Sequence, residues 1–189
     1  MNILIYFVLI LLSVLFAIFV VLFFVFVIDS ILRGHDLSTS KRAIRALVKI
    51  ISQYKPEANS FYDLGSGRGT LVLAVKRKLP HLVVYGIDNS AIRIFFAELK
   101  FRLLNRKVNF KKQDIFQTDL RNVDIVYTYL WYDLMPLLEK KLQKELKQGA
   151  IVITNTSNFP TWKPIQKVVT YPKVSKTPDF ETLFVYVKN

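Results

Sequence analysis

The stretch Ser60-Phe61-Tyr62-Asp63-Leu64-Gly65-Ser66-Gly67-Arg68-Gly69-Thr70 decides the reading of this chain. Its first five residues form a short strand. Gly65 to Gly69 is a tight loop, and Thr70 to Lys78 is a helix with Leu71, Val72 and Val75 turned inward. A glycine-rich turn between strand and helix lets a ligand approach the backbone closely and offers helix N-terminal N–H groups. The spacing here is G-x-G-x-G followed by Thr70, whereas a dinucleotide fingerprint, G-x-G-x-x-G, would put Gly at position 70. Asp63, two residues before the first Gly, repels a pyrophosphate but suits the cationic amino group of an amino acid. Together these features favour an aminoacyl-nucleoside over NAD.

Working outward, Pro80 breaks the helix and Leu82 to Ile87 is a second strand, apolar on both faces as a central parallel strand would be. Asp88 closes it, followed by Asn89. A carboxylate about 20 residues past the loop can accept both hydroxyls of a ribose. Ser90 caps a helix over about 91–104 with Ile94, Phe95, Leu99 and Leu103 available for packing. A third strand covers about 107–112 and leads into Gln113-Asp114-Ile115-Phe116. Asp114 there can accept from an adenine amino group, with Ile115 or Phe116 against the ring, or can simply form a turn. Val123 to Tyr129 is a fourth strand, about 133–147 a helix with Gly149 as its C-cap, and Ala150 to Thr154 a fifth strand. No helix is expected between Asn155 and Pro164. Two more strands, about 165–171 and 180–187, flank the turn-rich Pro172 to Pro178. Upstream, Ser38-Thr39-Ser40 caps a helix over about 41–54. Alternation of strand and helix predicts a Rossmann-like, doubly wound α/β sheet of about seven strands.

The N-terminus is different in kind. Residues 3–28 contain no charged residue, no Pro and no Gly, and all 27 Lys and Arg and all 14 Asp and Glu come after them. A helix of that length reaches about 39 Å, more than the ~30 Å hydrocarbon core of a bilayer. Nothing basic precedes the run and no small-residue cleavage site follows it, so it reads as a retained transmembrane helix rather than a signal peptide. Arg33, Lys41, Arg42, Arg45 and Lys49 follow on the C-terminal side, which places the remaining domain in the cytoplasm, or the matrix of an organelle. The expected layout is an anchor over 1–29, a juxtamembrane segment and pre-helix over 30–56, and an α/β domain over 57–189.

Composition narrows the partners. Cysteine is absent, so disulfides and Cys-ligated metals are excluded. Two histidines, His35 and His81, stand far apart and argue against a zinc site; His81 reads as surface. The net charge of +13 is spread along the chain. With a membrane segment present it favours lipid headgroups over nucleic acid.

The loop, Asp88 and Asp114 resemble motif I, the acidic end of strand two and the post-strand-three Asp of class I S-adenosylmethionine-dependent methyltransferases, over about 58–155. The wider layout is similar to the membrane-anchored lysine methyltransferases that modify the c subunit of ATP synthase, and to their prokaryotic relatives. It combines the anchor, Ser38-Thr39-Ser40, Tyr62 to Gly67, Tyr129-Leu130-Trp131-Tyr132-Asp133-Leu134-Met135 and Phe159-Pro160-Thr161-Trp162. Arg68 and Thr70 stand where that family has Asp and Arg, and the pre-helix reads Thr-Ser where the family has Thr-Pro.

The resemblance implies S-adenosyl-L-methionine held by Asp63, Gly65, Ser66, Gly67, Gly69, Asp88, Asn89, Asp114 and Ile115, with no metal. It also implies a membrane-associated protein lysine as the acceptor. A lysine must arrive uncharged, against a free pKa of about 10.4. Tyr129 and Trp131, with Tyr132, are placed for an aromatic acceptor channel that disfavours the ammonium form; Phe159 and Trp162 are weaker candidates. The chain lacks the N/D-P-P-Y/F/W run with which many methyltransferases hold a planar nitrogen, which argues against adenine or glutamine acceptors. A lipid or quinone methyltransferase, a non-catalytic nucleotide-binding module and an NAD-dependent oxidoreductase are the competing readings.

Overall fold

The computed structural model describes residues 3–34, 37–171 and 181–189; His35 and the turn-rich 172–178 lie outside them. The chain divides into two compact units, 1–36 and 37–189. The first is one helix, α1 (Ile3–Arg33), exposed along nearly all of its length. It is long and apolar enough to cross a membrane. Its hydroxyl at Ser13 donates to the Ile10 carbonyl at 2.8 Å, so that polar group is satisfied within the helix.

The second unit is a seven-stranded sheet with helices on both faces. In chain order it comprises α2 (Lys41–Tyr54), β1 (Ser60–Leu64), α3 (Thr70–Lys78), β2 (Val83–Asp88), α4 (Ala91–Leu103), β3 (Asn109–Lys112) and β4 (Ile125–Thr128). A single 3-10 turn (Tyr132–Leu134) then leads into α5 (Met135–Glu145), β5 (Ile151–Asn155), β6 (Gln166–Val169) and β7 (Thr182–Val187). The strand order is β3-β2-β1-β4-β5-β7-β6. The first five strands are parallel, and β7 runs antiparallel to both its neighbours. The order reverses beside β1, so the loops after β1 and β4 diverge at the carboxyl edge and leave a crevice between them.

The elements form where the sequence pattern puts them. Ser40 and Ser90 each accept a backbone N–H of the first helical turn, as capping residues do. One face of the sheet packs on α2, α3 and α4 through Ala43, Leu47, Ile51, Val72, Val75, Phe61, Phe101 and Ile153. The other packs on α5 through Met135, Leu138 and Leu142 against Leu64, Val126, Val152 and Tyr186. No helix lies among the described residues between β5 and β6.

Three expectations need correction. In α4 the buried face is Arg93, Ile94, Ala97 and Phe101; Phe95, Leu99 and Leu103 point to solvent at 59%, 38% and 78% exposure. This helix is apolar on two faces, and periodicity alone does not say which one turns inward. Gly149 does not cap α5, which ends at Glu145 with Leu146 as its C-cap. It sits at φ +73° in the turn before β5, its N–H donating to Lys188. And β3, β4 and β6 are each shorter than read, pairing only over Asn109–Lys112, Ile125–Thr128 and Gln166–Val169.

The start of the sheet is fastened by Asp124. Its Oδ2 accepts from Asn59 N, Ser60 N and Ser60 Oγ at 2.9–3.0 Å, and its Oδ1 pairs with Lys147 at 2.7 Å. Burial pushes this carboxyl up, but Lys147 and the donors around it outweigh that and hold it down at about 2, against an ordinary 3.8. Its contribution to stability is therefore full above pH 3.8 and is lost as pH falls toward 2. Asp124→Ala should cost about 3 kcal/mol. In thermal melts at neutral pH that is a fall of roughly 6–12 °C. The difference from wild type should shrink at the acid end of the range, and a constant difference down to pH 2 would contradict the assignment.

Candidate functional site

The carboxyl edge of the sheet collects the glycine loop after β1, Asp88 and Asn89 after β2, Asp114 after β3, Tyr129 to Asp133 after β4 and Asn155 to Trp162 after β5. Gly65, Gly67 and Gly69 have φ of +85°, +52° and +69°, a region that side chains with a Cβ rarely adopt. A Cβ on Gly65 would also lie 2.7 Å from Leu130, so the loop passes directly beneath the segment after β4.

Four of the loop's N–H groups are used inside the protein. Gly65 N and Ser66 N both donate to Ile87 O, and Gly69 N donates to Ser66 O. Gly67 N donates to Asp88 Oδ2 at 2.9 Å. These bonds fix the shape of the loop ahead of α3.

Asp88 has a structural task. It is buried, and besides Gly67 its Oδ1 accepts from Ser90 N at 2.8 Å, while its carbonyl accepts from Gln113 N at 2.9 Å. One residue thus joins the loop, the start of α4 and the end of β3. A carboxylate can accept several hydrogen bonds, so these contacts do not prevent Asp88 from also accepting ribose hydroxyls. Asn89 beside it is exposed.

Asp63 is buried and stands directly opposite Tyr127 in the β1–β4 register. The fully buried phenol of Tyr127 is 2.8 Å from Thr39 Oγ1 and accepts from Asn155 Nδ2 at 3.0 Å. Burial pushes this phenol far above its ordinary 10.0, more than its bonds to Thr39 and Asn155 pull it back. Next to Thr39, Ser40 N donates to Glu181 Oε1 at 2.6 Å. The segment before α2 is thereby pinned over the carboxyl ends of β4 and β5 and the amino end of β7. The signal for Thr39 lay in the pre-helix run. Tyr127 was missed, although a hydroxyl-bearing ring inside the apolar strand Ile125-Val126-Tyr127-Thr128 called for a partner.

Gly86 was also missed. An added Cβ there would lie 2.6 Å from Phe110 and 2.9 Å from Ser66 Oγ. The bare backbone of a glycine inside a strand marks such a close approach. Ser66 Oγ is buried without a hydrogen-bond partner among the described residues, an unmet polar atom in the wall of the loop.

The remaining candidates separate. Asp114 is exposed, and its Oδ1 accepts from Phe116 N at 2.9 Å, so it forms the turn that was its alternative reading. Ile115 and Phe116 are half-buried against the core beneath α5. Tyr129 is half-buried against the opposite core, whereas Trp131 and Tyr132 are 51% and 77% exposed. These three rings wall no closed channel; they leave an open aromatic lip. Phe159 and Trp162 stack on each other and on Tyr186 in the core. Their loop is tied down by the buried Glu139, which accepts from Thr161 N, Thr161 Oγ1 and Trp162 N. Both aromatics thus pack against the core, Phe159 fully buried and Trp162 half-buried. His81 is exposed, as expected.

Known proteins bear on this geometry. The family model described as the ANTKMT methyltransferase domain matches residues 63–166. The chain is similar to the adenine nucleotide translocase lysine N-methyltransferase of Mus musculus, at 28% identity over 125 residues, 66% of this chain and 55% of that protein. It is similar to a protein-lysine N-methyltransferase of Saccharolobus islandicus, at 23% over 151 residues, 79% and 90% of the two chains. The chain thus spans about half the mouse relative and most of the other. Among solved structures, an RNA methyltransferase of Salinibacter ruber in complex with S-adenosyl-L-homocysteine superposes with a TM-score of 0.68 at 20% identity, covering 80% of this chain and 93% of that one. At that identity the likeness is one of fold.

Gly86→Ala tests the cradle. Phe110 packs edge-on against Phe101, and its ring must shift out of that contact to admit a methyl group. Overpacking of this kind costs about 1–3 kcal/mol. The variant should melt several degrees lower, and hydrogen exchange should quicken in the loop 65–69. An unchanged melt with unchanged exchange would show that the close approach is not constraining.

Proposed function

From the footing that the chain belongs to the family of the ANTKMT methyltransferase domain, we propose that it transfers a methyl group from S-adenosyl-L-methionine to a lysine side chain of a membrane-associated protein. The observation that carries this reading is the sequence likeness over Asp63 and beyond to two proteins named as lysine N-methyltransferases. The glycine loop at positive φ, with the buried acids Asp63 and Asp88 beside it, supports a nucleoside donor that carries an amino acid.

In this reading Gly65, Ser66, Gly67 and Gly69 lie along the donor. Asp63 faces its ammonium group, Asp88 and Asn89 its ribose, and Asp114 and Ile115 its base, with Ser66 Oγ satisfied on binding. The bound donor supplies a methyl carbon already activated by a sulfonium, so the protein's task is alignment and exclusion of water. The acceptor amine attacks that carbon with its lone pair as the carbon–sulfur bond breaks and sulfur keeps the bonding electrons. The amine must first lose a proton to solvent. Leu130 and Tyr129 would flank the path of the amine, and the open lip of Trp131 and Tyr132 would be covered by the substrate protein itself. The apolar α1 and the cations Lys41, Arg42, Arg45 and Lys49 that follow it support a membrane-anchored enzyme whose catalytic domain is on the cytoplasmic or matrix side.

The test is transfer of labelled methyl from S-adenosylmethionine into membranes containing the full chain, with acid hydrolysis to identify methyl-lysine. Asp88→Asn replaces an acceptor of two N–H bonds with a group that also donates. The loss of two charge-assisted bonds should lower transfer about 100-fold. Label in the lipid extract instead of lysine would overturn the acceptor; equal labelling by both proteins would overturn the site.

A further inference from the structure

The helix α4 is apolar on the face it buries, through Ile94, Ala97 and Phe101, and again on the face it does not. Phe95, Leu99 and Leu103 recur at a spacing of four and form one stripe, at 59%, 38% and 78% exposure. A helix apolar all round is normally covered on every side. Here the stripe stands on the outside of the domain.

Its flanks are basic. Arg102, Arg106 and Lys107 lie along and just beyond α4, Lys100 is turned back to donate to the Arg68 carbonyl at 2.7 Å, and Glu98 is the one acidic residue in the helix. That charge distinguishes between the possible covers. A second copy meeting this face about a two-fold axis would bring the same cations against one another, in a chain that already carries +13. An anionic lipid surface complements them, and a helix with an apolar stripe edged by Lys and Arg is the type that lies in a membrane interface.

We infer that the exposed face of α4 is a membrane-contact surface, its apolar stripe seated among the acyl chains and its cations on anionic headgroups. This rests on the membrane reading above and adds to it a second, peripheral contact made by the globular domain itself. The stripe is on the sheet face shared with α2 and α3, opposite α5, so the contact would fix which side of the domain meets the lipid.

The absence of cysteine makes the test direct, because one introduced thiol is the only labelling site. The full chain, reconstituted in nanodiscs of two parts phosphatidylcholine to one part phosphatidylglycerol, is labelled with an environment-sensitive fluorophore at Ser13→Cys in α1, Leu103→Cys in α4 or Lys140→Cys on α5. Quenching by lipids brominated on their acyl chains is then read. The expected result is strong quenching at 13, at least two-fold quenching at 103 and none at 140. Phosphatidylcholine alone, or Arg102→Glu with Arg106→Glu, should relieve quenching at 103 but not at 13. Quenching at 13 without quenching at 103 overturns the inference and leaves the anchor intact. A blue-shifted but unquenched label at 103 points to a protein cover and also overturns it. No quenching at 13 removes the membrane reading itself. Leu103 and Lys140 are both exposed, so neither label disturbs the core.

Discussion

The Asp88 carboxylate is the point on which the carboxyl edge depends. Its two oxygens accept from Gly67 in the loop and Ser90 at the head of α4, and its carbonyl holds the end of β3 through Gln113. Three chain segments that share no sequence continuity are thereby fixed to the end of one strand. The positive φ angles of the loop make it a costly shape for an ordinary chain and an easy one for glycine. Asp88 and Ile87 then hold the N–H groups of Gly65, Ser66 and Gly67, so the shape is set before any ligand arrives. Binding to such a surface does not have to order it first.

A second constraint acts from the opposite side of the sheet. Thr39 and Ser40 belong to a segment that could have been a simple connection into α2. Their bonds to Tyr127 and Glu181 make them part of the roof over β4, β5 and β7. Glu139 does the same for the loop after β5, collecting two backbone N–H groups and a hydroxyl on one buried carboxylate. In each case a loop that local sequence leaves undetermined is held by a polar group from an element distant in the chain.

This explains what was legible in the sequence and what was not. Alternation of apolar runs with turn residues gave nearly every element, and the caps Ser40 and Ser90 marked two helix starts to the residue. The glycine spacing, Asp63 and Asp88 marked the site because they obey short-range rules. The outward face of α4 was misread because two apolar stripes satisfy the same periodicity, and the buried partner is chosen by β2 and β3, not by α4. Phe159 and Trp162 were given a possible place at the acceptor because aromatic residues on a loop look alike whether they line a crevice or fill a core. The bond between Thr39 and Tyr127 joins residues 88 positions apart, and no local pattern encodes it.

Tyr127 has one more consequence. Its phenol is held protonated by burial, accepts from Asn155 and has its proton left for Thr39. This buttress beneath the crevice therefore does not titrate over the range in which proteins are handled. A plot of turnover against pH will carry no inflection from it. An inflection between neutrality and pH 10 would have to come from other groups, the acceptor nitrogen first among them. The pH profile can thus serve as a spectroscopy of the substrate, separating an amine that must shed a proton from a hydroxyl or carbon acceptor that follows a different law.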